Sequence, residues 1–174
     1  ILLALALLLG LLSSALAAVG VANPIMNILI FLIVGICLGA GVLMSEFFGA
    51  GKYERLKHEI STTITLGFAV TLLMAAVCTV FMKPLLRLAQ TPAELIPQTA
   101  LYLHIVIAGL GFTFFYNIFA TTLRAVGDSR TPIICVSVSA VLNGVLDYIL
   151  VALFSMGVTG AAIATVASQA ISCI

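Results

Sequence analysis

Polar residues cut this chain into long apolar runs. Residues 60–82 and 158–174 carry no Asp, Glu, Lys or Arg. Residues 24–48 carry only Glu46, 99–123 none besides His104, and 132–152 only Asp147. A helix needs about 20 apolar residues to cross a bilayer. The pattern therefore predicts five spans over 24–48, 60–82, 99–123, 132–152 and 158–174. A sixth run, 1–12, reaches only ~18 Å as a helix and reads as an incomplete span.

The punctuation agrees with these limits. "SSALAAVGVAN" reads as a turn and a short interfacial helix, with Asn23-Pro24 opening the next span as N-cap and first turn. Gly49-Ala50-Gly51 stops it. "GKYERLKHE" is a short amphipathic linker, and Lys83-Pro84 closes the third span. Thr91-Pro92 and Pro97 mark helix starts ahead of the fourth. Gly127-Asp128 breaks the chain, after which Thr131 caps and Pro132 opens the fifth span. Ser155-Met156-Gly157 is a tight return. Gly35 and Gly39 form a small-xxx-small pair of the kind that lets helices approach in lipid.

Composition fixes the class. Hydrophobic residues make up 63% of the 174 and charged ones only 7%, against about 25% in a soluble domain. The expectation is an all-α, polytopic membrane protein. A net charge of +1 provides no field for nucleic acid. The four cysteines, Cys37, Cys78, Cys135 and Cys173, lie far apart in apolar runs without metal-ligand spacing. They read as small hydrophobic residues. The N-terminus lacks the basic segment of a signal peptide, so the chain is expected to begin inside a transmembrane helix. Lys52, Arg55, Lys57, Arg124 and Arg130 fall in one set of loops, and Lys83 and Arg87 in the other. The positive-inside rule places the first set in the cytoplasm.

Asp147 is the group that calls for chemistry. It stands about five residues, or ~7.5 Å, inside the outer end of the fifth span. A carboxylate within a span usually faces a bundle interior or a wet cavity and often marks an ion or proton path. Asn143, four residues earlier, shares its helical face. Thr165, about ~10 Å into the next helix, falls at a depth between the two if the short turn makes these helices antiparallel neighbours. Carboxylate, amide and hydroxyl oxygens suit a hard cation such as Na⁺, and the carboxylate alone suits a proton. A helix-end aspartate that reaches the interface is the plain alternative. Tyr116 and Asn117 in the fourth span, and Met26 and Asn27 in the second, are candidate cavity-lining residues. His104 reads as a buried, hydrogen-bonded histidine. No phosphate loop, zinc motif or nucleophile elbow occurs, so no enzyme activity and no cofactor beyond a coupling Na⁺ or H⁺ is expected.

Five segments taken together, "ALAAVGVANPI", "GAGVLMSEFFGAGKYERLK", "LRAVGDSRTPI", "LNGVLDYIL" and "MGVTGAAIATVASQ", resemble the multidrug and toxic compound extrusion (MATE) family. The likeness runs in order from about residue 15 to the end. It implies the N-terminal six-helix lobe, residues 1–174, of a twelve-helix transporter whose C-terminal lobe is not in this sequence. It further implies a place in the bacterial cytoplasmic membrane and export of cationic or amphipathic drugs across that lipid bilayer against inward Na⁺ or H⁺. The family's fifth-helix Asn and Asp, four residues apart, match Asn143 and Asp147, and its sixth-helix Thr matches Thr165. The first-helix aspartate of the family has no counterpart in 1–12. A lipid-linked precursor flippase would favour a basic cavity, which these spans lack. A channel, or a subunit that does not transport, would not need Asp147 for coupling.

Overall fold

The computed structural model describes residues 2–154 and 156–173, with side chains from Ala17 onward. Among these residues every element is helical: α1 Leu2–Gly49, α2 Tyr53–Val80, α3 Met82–Leu88, α4 Ile96–Ala108, α5 Leu110–Ala125, α6 Arg130–Asp147 and α7 Gly157–Ser172. A π-helical segment, Tyr148–Leu153, continues α6. Three stretches are long and apolar enough to cross a membrane, namely Ala17–Gly49, Tyr53–Val80 and Arg130–Leu153, and the bent pair α4–α5 makes a fourth. Helices are what lipid demands, because each backbone N–H must find its acceptor within its own segment.

The first helix departs from expectation. No turn separates residues 2–12 from the run that follows, and Pro24 lies inside one continuous helix. Proline removes one hydrogen bond, but the surrounding Ala- and Leu-rich stretch favours helix on both sides. From Ala18 onward one stripe is buried: Ala18, Ala22, Met26, Leu29, Ile33, Cys37, Ala40 and Met44. The steps of three and four are those of a single helix face. Ile28, Phe31, Leu38 and Val42, equally apolar, lie exposed on the other side.

The fourth predicted span is two helices bent by 44°. The break is at Gly109, whose N–H is shared between the carbonyls of Ile105 (3.2 Å) and Val106 (3.0 Å). Glycine is required there by proximity, since a Cβ would stand 2.6 Å from Val166 Cγ2 on α7. Gly67 on α2 meets the Phe114 ring of α5 in the same way, with a Cβ at 2.5 Å from the ring edge. Phe114 is fully buried and belongs to an aromatic cluster with Phe68 (centroids 6.2 Å apart) and Phe115 (5.6 Å). Gly35 and Gly39, the pair expected to serve as a contact, have nothing within 4 Å of a built Cβ.

The ends of the bundle follow from two contacts. Gly41 abuts the Thr121 side chain, and the Thr122 hydroxyl lies 3.7 Å from Met44 Sδ. The C-terminal ends of α1 and α5 are therefore level, and the turns after them share one end with Lys52, Arg55, Lys57, Arg124 and Arg130. At that end Asp128, not Thr131, caps α6. Its Oδ1 accepts from the amides of Arg130 (3.0 Å) and Thr131 (3.1 Å), and its Oδ2 from the Thr131 hydroxyl (2.6 Å). Asp is among the preferred caps because it satisfies helix-end amides that have no acceptor of their own. The bond from the Thr131 hydroxyl, then that from the Thr131 amide, holds the Asp128 carboxyl below the ordinary aspartate range.

Two outcomes follow for unfolding in detergent. Gly67→Ala should cost about 1–3 kcal/mol, the usual penalty of overpacking, while Gly35→Ala should change stability by less than about 0.5 kcal/mol. Equal losses from the two would contradict the packing described. Because the folded-state value of Asp128 is depressed, its contribution is present above the ordinary aspartate value of about 3.9 and is lost as pH falls through the lower folded value. The protection of the Arg130 and Thr131 amides, taken relative to intrinsic exchange at each pH, should be high at neutral pH and fall only in acid below that range. In Asp128→Ala that protection should be lost throughout.

Candidate functional site

The helix that carries Asp147 has little packing of its own. Of the α6 residues only Pro132 is buried. Cys135, Ser139, Asn143 and Asp147, spaced by four, are each half-buried, whereas Ile133, Val138, Val141 and Val145 are exposed. That half-buried stripe is the face turned toward α7. The Ser139 hydroxyl donates to the Ser168 carbonyl at 2.8 Å. Farther along, Gly160 lies against the Leu150 backbone, where a Cβ would be at 3.1 Å. The two helices are antiparallel, and these contacts fix their register. Asn143 comes level with Thr165, and Asp147 lies within about a turn and a half of both toward the outer end.

Asp147 Oδ1 is buried and meets no hydrogen-bond partner among the described residues. An unsatisfied buried oxygen is costly, more so when charged. A proton or a cation on this carboxylate removes that cost. Thr165 is half-buried and donates to the Ala161 carbonyl at 2.9 Å, which leaves its oxygen available as an acceptor or ligand. Tyr102 of α4, 6% exposed, adjoins the Thr165 hydroxyl and lies within electrostatic range of Asp147. The helix register thus puts Asn143 at the depth of Thr165, with the Asp147 carboxylate about a turn away and the Tyr102 phenol beside the Thr165 hydroxyl. The oxygens suit a hard cation, and the carboxylate can accept a proton.

Tyr102 was missed in the sequence, since nothing local distinguishes it from the other aromatics. The π-helical segment was missed as well. It begins at Tyr148, immediately after Asp147, and its widened turn bonds Phe154 N–H to the Ile149 carbonyl at 3.1 Å. Such segments recur at functional positions in helices.

The remaining candidates lie elsewhere. Met26 is packed in the core stripe of α1, and Asn27 is exposed beside it. The Tyr116 hydroxyl donates to the Pro132 carbonyl at 3.3 Å, and Asn117 Nδ2 to the Thr113 carbonyl at 2.7 Å. Both therefore bind protein carbonyls, one across to α6 and one within α5. His104, expected to be buried, is exposed, and its ring Nδ1 pairs with the Ala100 carbonyl at 2.7 Å. A polar bridge absent from the sequence reading joins α5 to α7: Thr113 Oγ1 donates to Gln169 Oε1 at 2.8 Å.

Comparison with known proteins places this arrangement. The MatE family matches residues 2–149. The probable multidrug resistance protein YoeA of Bacillus subtilis is 35% identical over 158 residues, which is 88% of this chain and 34% of that protein. An inward-facing multidrug resistance MATE family transporter of the MOP superfamily superposes with a TM-score of 0.88 at 25% identity, over 92% of this chain and 36% of that one. An outward-facing transporter of the same description gives 0.85 at 25%, over 91% and 35%. The chain spans about a third of the length of the relatives it matches. The match to the family over most of the sequence, with the shared helical fold, makes this chain a multi-pass membrane protein of the MatE family of transporters.

Proposed function

We propose that this chain is one lobe of a cation-coupled antiporter that exports cationic or amphipathic drugs, with Asp147, Asn143 and Thr165 as the coupling-ion site. The observation that carries this reading is the buried, unpartnered oxygen of Asp147, within electrostatic range of the Tyr102 phenol that adjoins Thr165. In a low-dielectric span the bare carboxylate is disfavoured, so the site gains free energy by taking up H⁺ or Na⁺. Asn143 and Thr165 offer neutral oxygens that would complete a Na⁺ shell without adding charge. Tyr102 can donate its phenol to the same oxygens when the cation leaves.

The comparisons support a rigid-lobe mechanism for the relatives. This one fold superposes about equally well on an inward-facing and an outward-facing transporter. A lobe that keeps its shape in both states moves as a body, and its partner lobe would form the opposite wall of the cavity. Uptake of the ion from one side and its release on the other would then alternate with binding of the drug. A coupling of this kind needs the ion to favour one state over the other.

The test is ethidium export from membrane vesicles containing the full chain, driven by an imposed Na⁺ or H⁺ gradient. Wild type should export, and whichever gradient drives it names the ion. Asp147→Asn keeps the shape and removes the charge. At matched expression it should lower gradient-driven export on the order of tenfold or more, within the usual coupling range of about 1–3 kcal/mol. Undiminished export by the variant would remove Asp147 from coupling.

A further inference from the structure

The register that aligns Asn143 with Thr165 has a second consequence at the opposite end of the same helix pair. One turn before Ser139 on α6 stands Cys135. Five residues after Ser168 on α7, past the helix end and on the side that Gln169 turns toward α5, stands Cys173. The Ser139–Ser168 bond of 2.8 Å fixes the antiparallel alignment, so the two cysteines come level with each other. It also shows that the backbones are close at that point, because a side chain only one atom beyond Cβ spans the gap.

Three further observations place the thiols together. Both are half-buried and free. Both line one cavity of about 350 Å³ between α5, α6 and α7, together with Phe119, Thr122 and Thr131. Both also adjoin Tyr116, Cys135 through the electrostatic neighbourhood of the phenol and Cys173 beside the Tyr116 backbone N–H. Cys173 Sγ contacts the Phe112 carbonyl at 3.1 Å and the Gln169 carbonyl at 3.3 Å. The contact with Phe112 bonds it to α5, and the open cavity gives the side chain room to turn toward α6.

We propose that Cys135 and Cys173 are a dithiol modification site that a hydroperoxide closes into a disulfide, tying α6 to α7. In the first step the sulfur of one cysteine attacks the peroxide and breaks the O–O bond. It becomes a sulfenic acid, and the peroxide is reduced to an alcohol or, from hydrogen peroxide, to water. In the second step the other thiol attacks the sulfenic sulfur and expels water as the S–S bond forms. Two thiols are oxidised by two electrons and one peroxide is reduced. The geometric requirement is a Cα separation of about 4.4–6.8 Å, which level positions on two closely packed helices can meet. Cys37, buried in the α1 stripe, and Cys78, on α2, have no thiol opposite them in this register. The link would restrain α6, the helix that carries Asn143 and Asp147.

The experiment treats the full chain in membrane vesicles with hydrogen peroxide, blocks free thiols with an alkylating reagent, and maps cysteines by mass spectrometry without reduction. The expected result is loss of two alkylatable thiols in step, recovery of a peptide pair joined through Cys135 and Cys173, and return of both thiols on reduction. Phenylarsine oxide, which needs two neighbouring thiols, should protect the same pair in untreated wild type, so the result does not depend on a variant folding. In Cys135→Ser, Cys173 should remain alkylatable after peroxide. Thiols that stay free, that oxidise singly to sulfinic acid, or that link different chains would overturn the pair. Restraint of α6 is read separately as slower ethidium export that recovers on reduction, and that readout rests on the transport function proposed above. Linked protein with unchanged export would overturn the restraint and leave the dithiol standing.

Discussion

The packing of α6 on α7 is the interaction on which the rest of this structure depends. The helix that bears Asp147 turns most of its surface outward and buries only Pro132 among its own residues. Its position is therefore set chiefly by α7, with one bond from Tyr116 of α5 to the Pro132 carbonyl at its start. The α7 helix is built for close approach, with Gly160, Ala162, Ala164 and Ser168 buried along its length. Small residues matter more here than in water, because lipid provides no hydrophobic force to press helices together and packing must supply it. The Ser139–Ser168 hydrogen bond then pins the register in a place where sliding would cost a polar contact.

The same helix carries the position onward into the bundle. Val166 lies against Gly109, and Gln169 accepts from Thr113. These two contacts tie α7 to both halves of the bent span, one at the hinge and one just beyond it. The bend in turn sets the direction of α4 and so brings Tyr102 to Thr165. The helices that carry Asp147, Asn143, Thr165 and Tyr102 are thus held together because a single helix, α7, contacts the others. The wide π-helical turn directly after Asp147 belongs to this arrangement, since it lets the chain leave α6 and return along α7 through a short connection.

Much of the architecture was legible in the residues. Charges are so scarce that each one marks a loop, an end or a site, and Asp147 stood out for that reason. Asn143 followed from helical spacing, and Thr165 from the brevity of the 153–157 turn. The cap of α6 was misread: the N-cap position is Ser129 and the capping carboxylate is that of Asp128, not the Thr131 hydroxyl. Thr131 and Asp128 are both good caps, and only the geometry of the turn decides which oxygen reaches the amides. The predicted turn before Pro24 failed because a proline in an otherwise strong helix former costs one hydrogen bond without ending the helix. The glycines were misjudged for a related reason. A small-xxx-small pattern says that a contact is possible, and Gly35 and Gly39 have it, but Gly41, Gly67 and Gly109 make the close approaches.

By itself the sequence determined the class of the protein, its helical content and which loops carry the positive charge, and it named Asp147, Asn143 and Thr165 as candidates for an ion site. These depend on local quantities: the length of an apolar run, the sign of a loop, the spacing of two residues on one helix. Only the tertiary structure decided which faces are inside, where the fourth span bends, that Tyr102 adjoins Thr165 and that Cys135 and Cys173 line one cavity. In a soluble protein the polar side of a helix would have revealed its buried side. Here Ile28 and Phe31 face outward while Ile33 and Leu29 face inward, all equally apolar. The solvent for the outer surface is as oily as the core, so the pattern that marks an interior is absent and only packing supplies it.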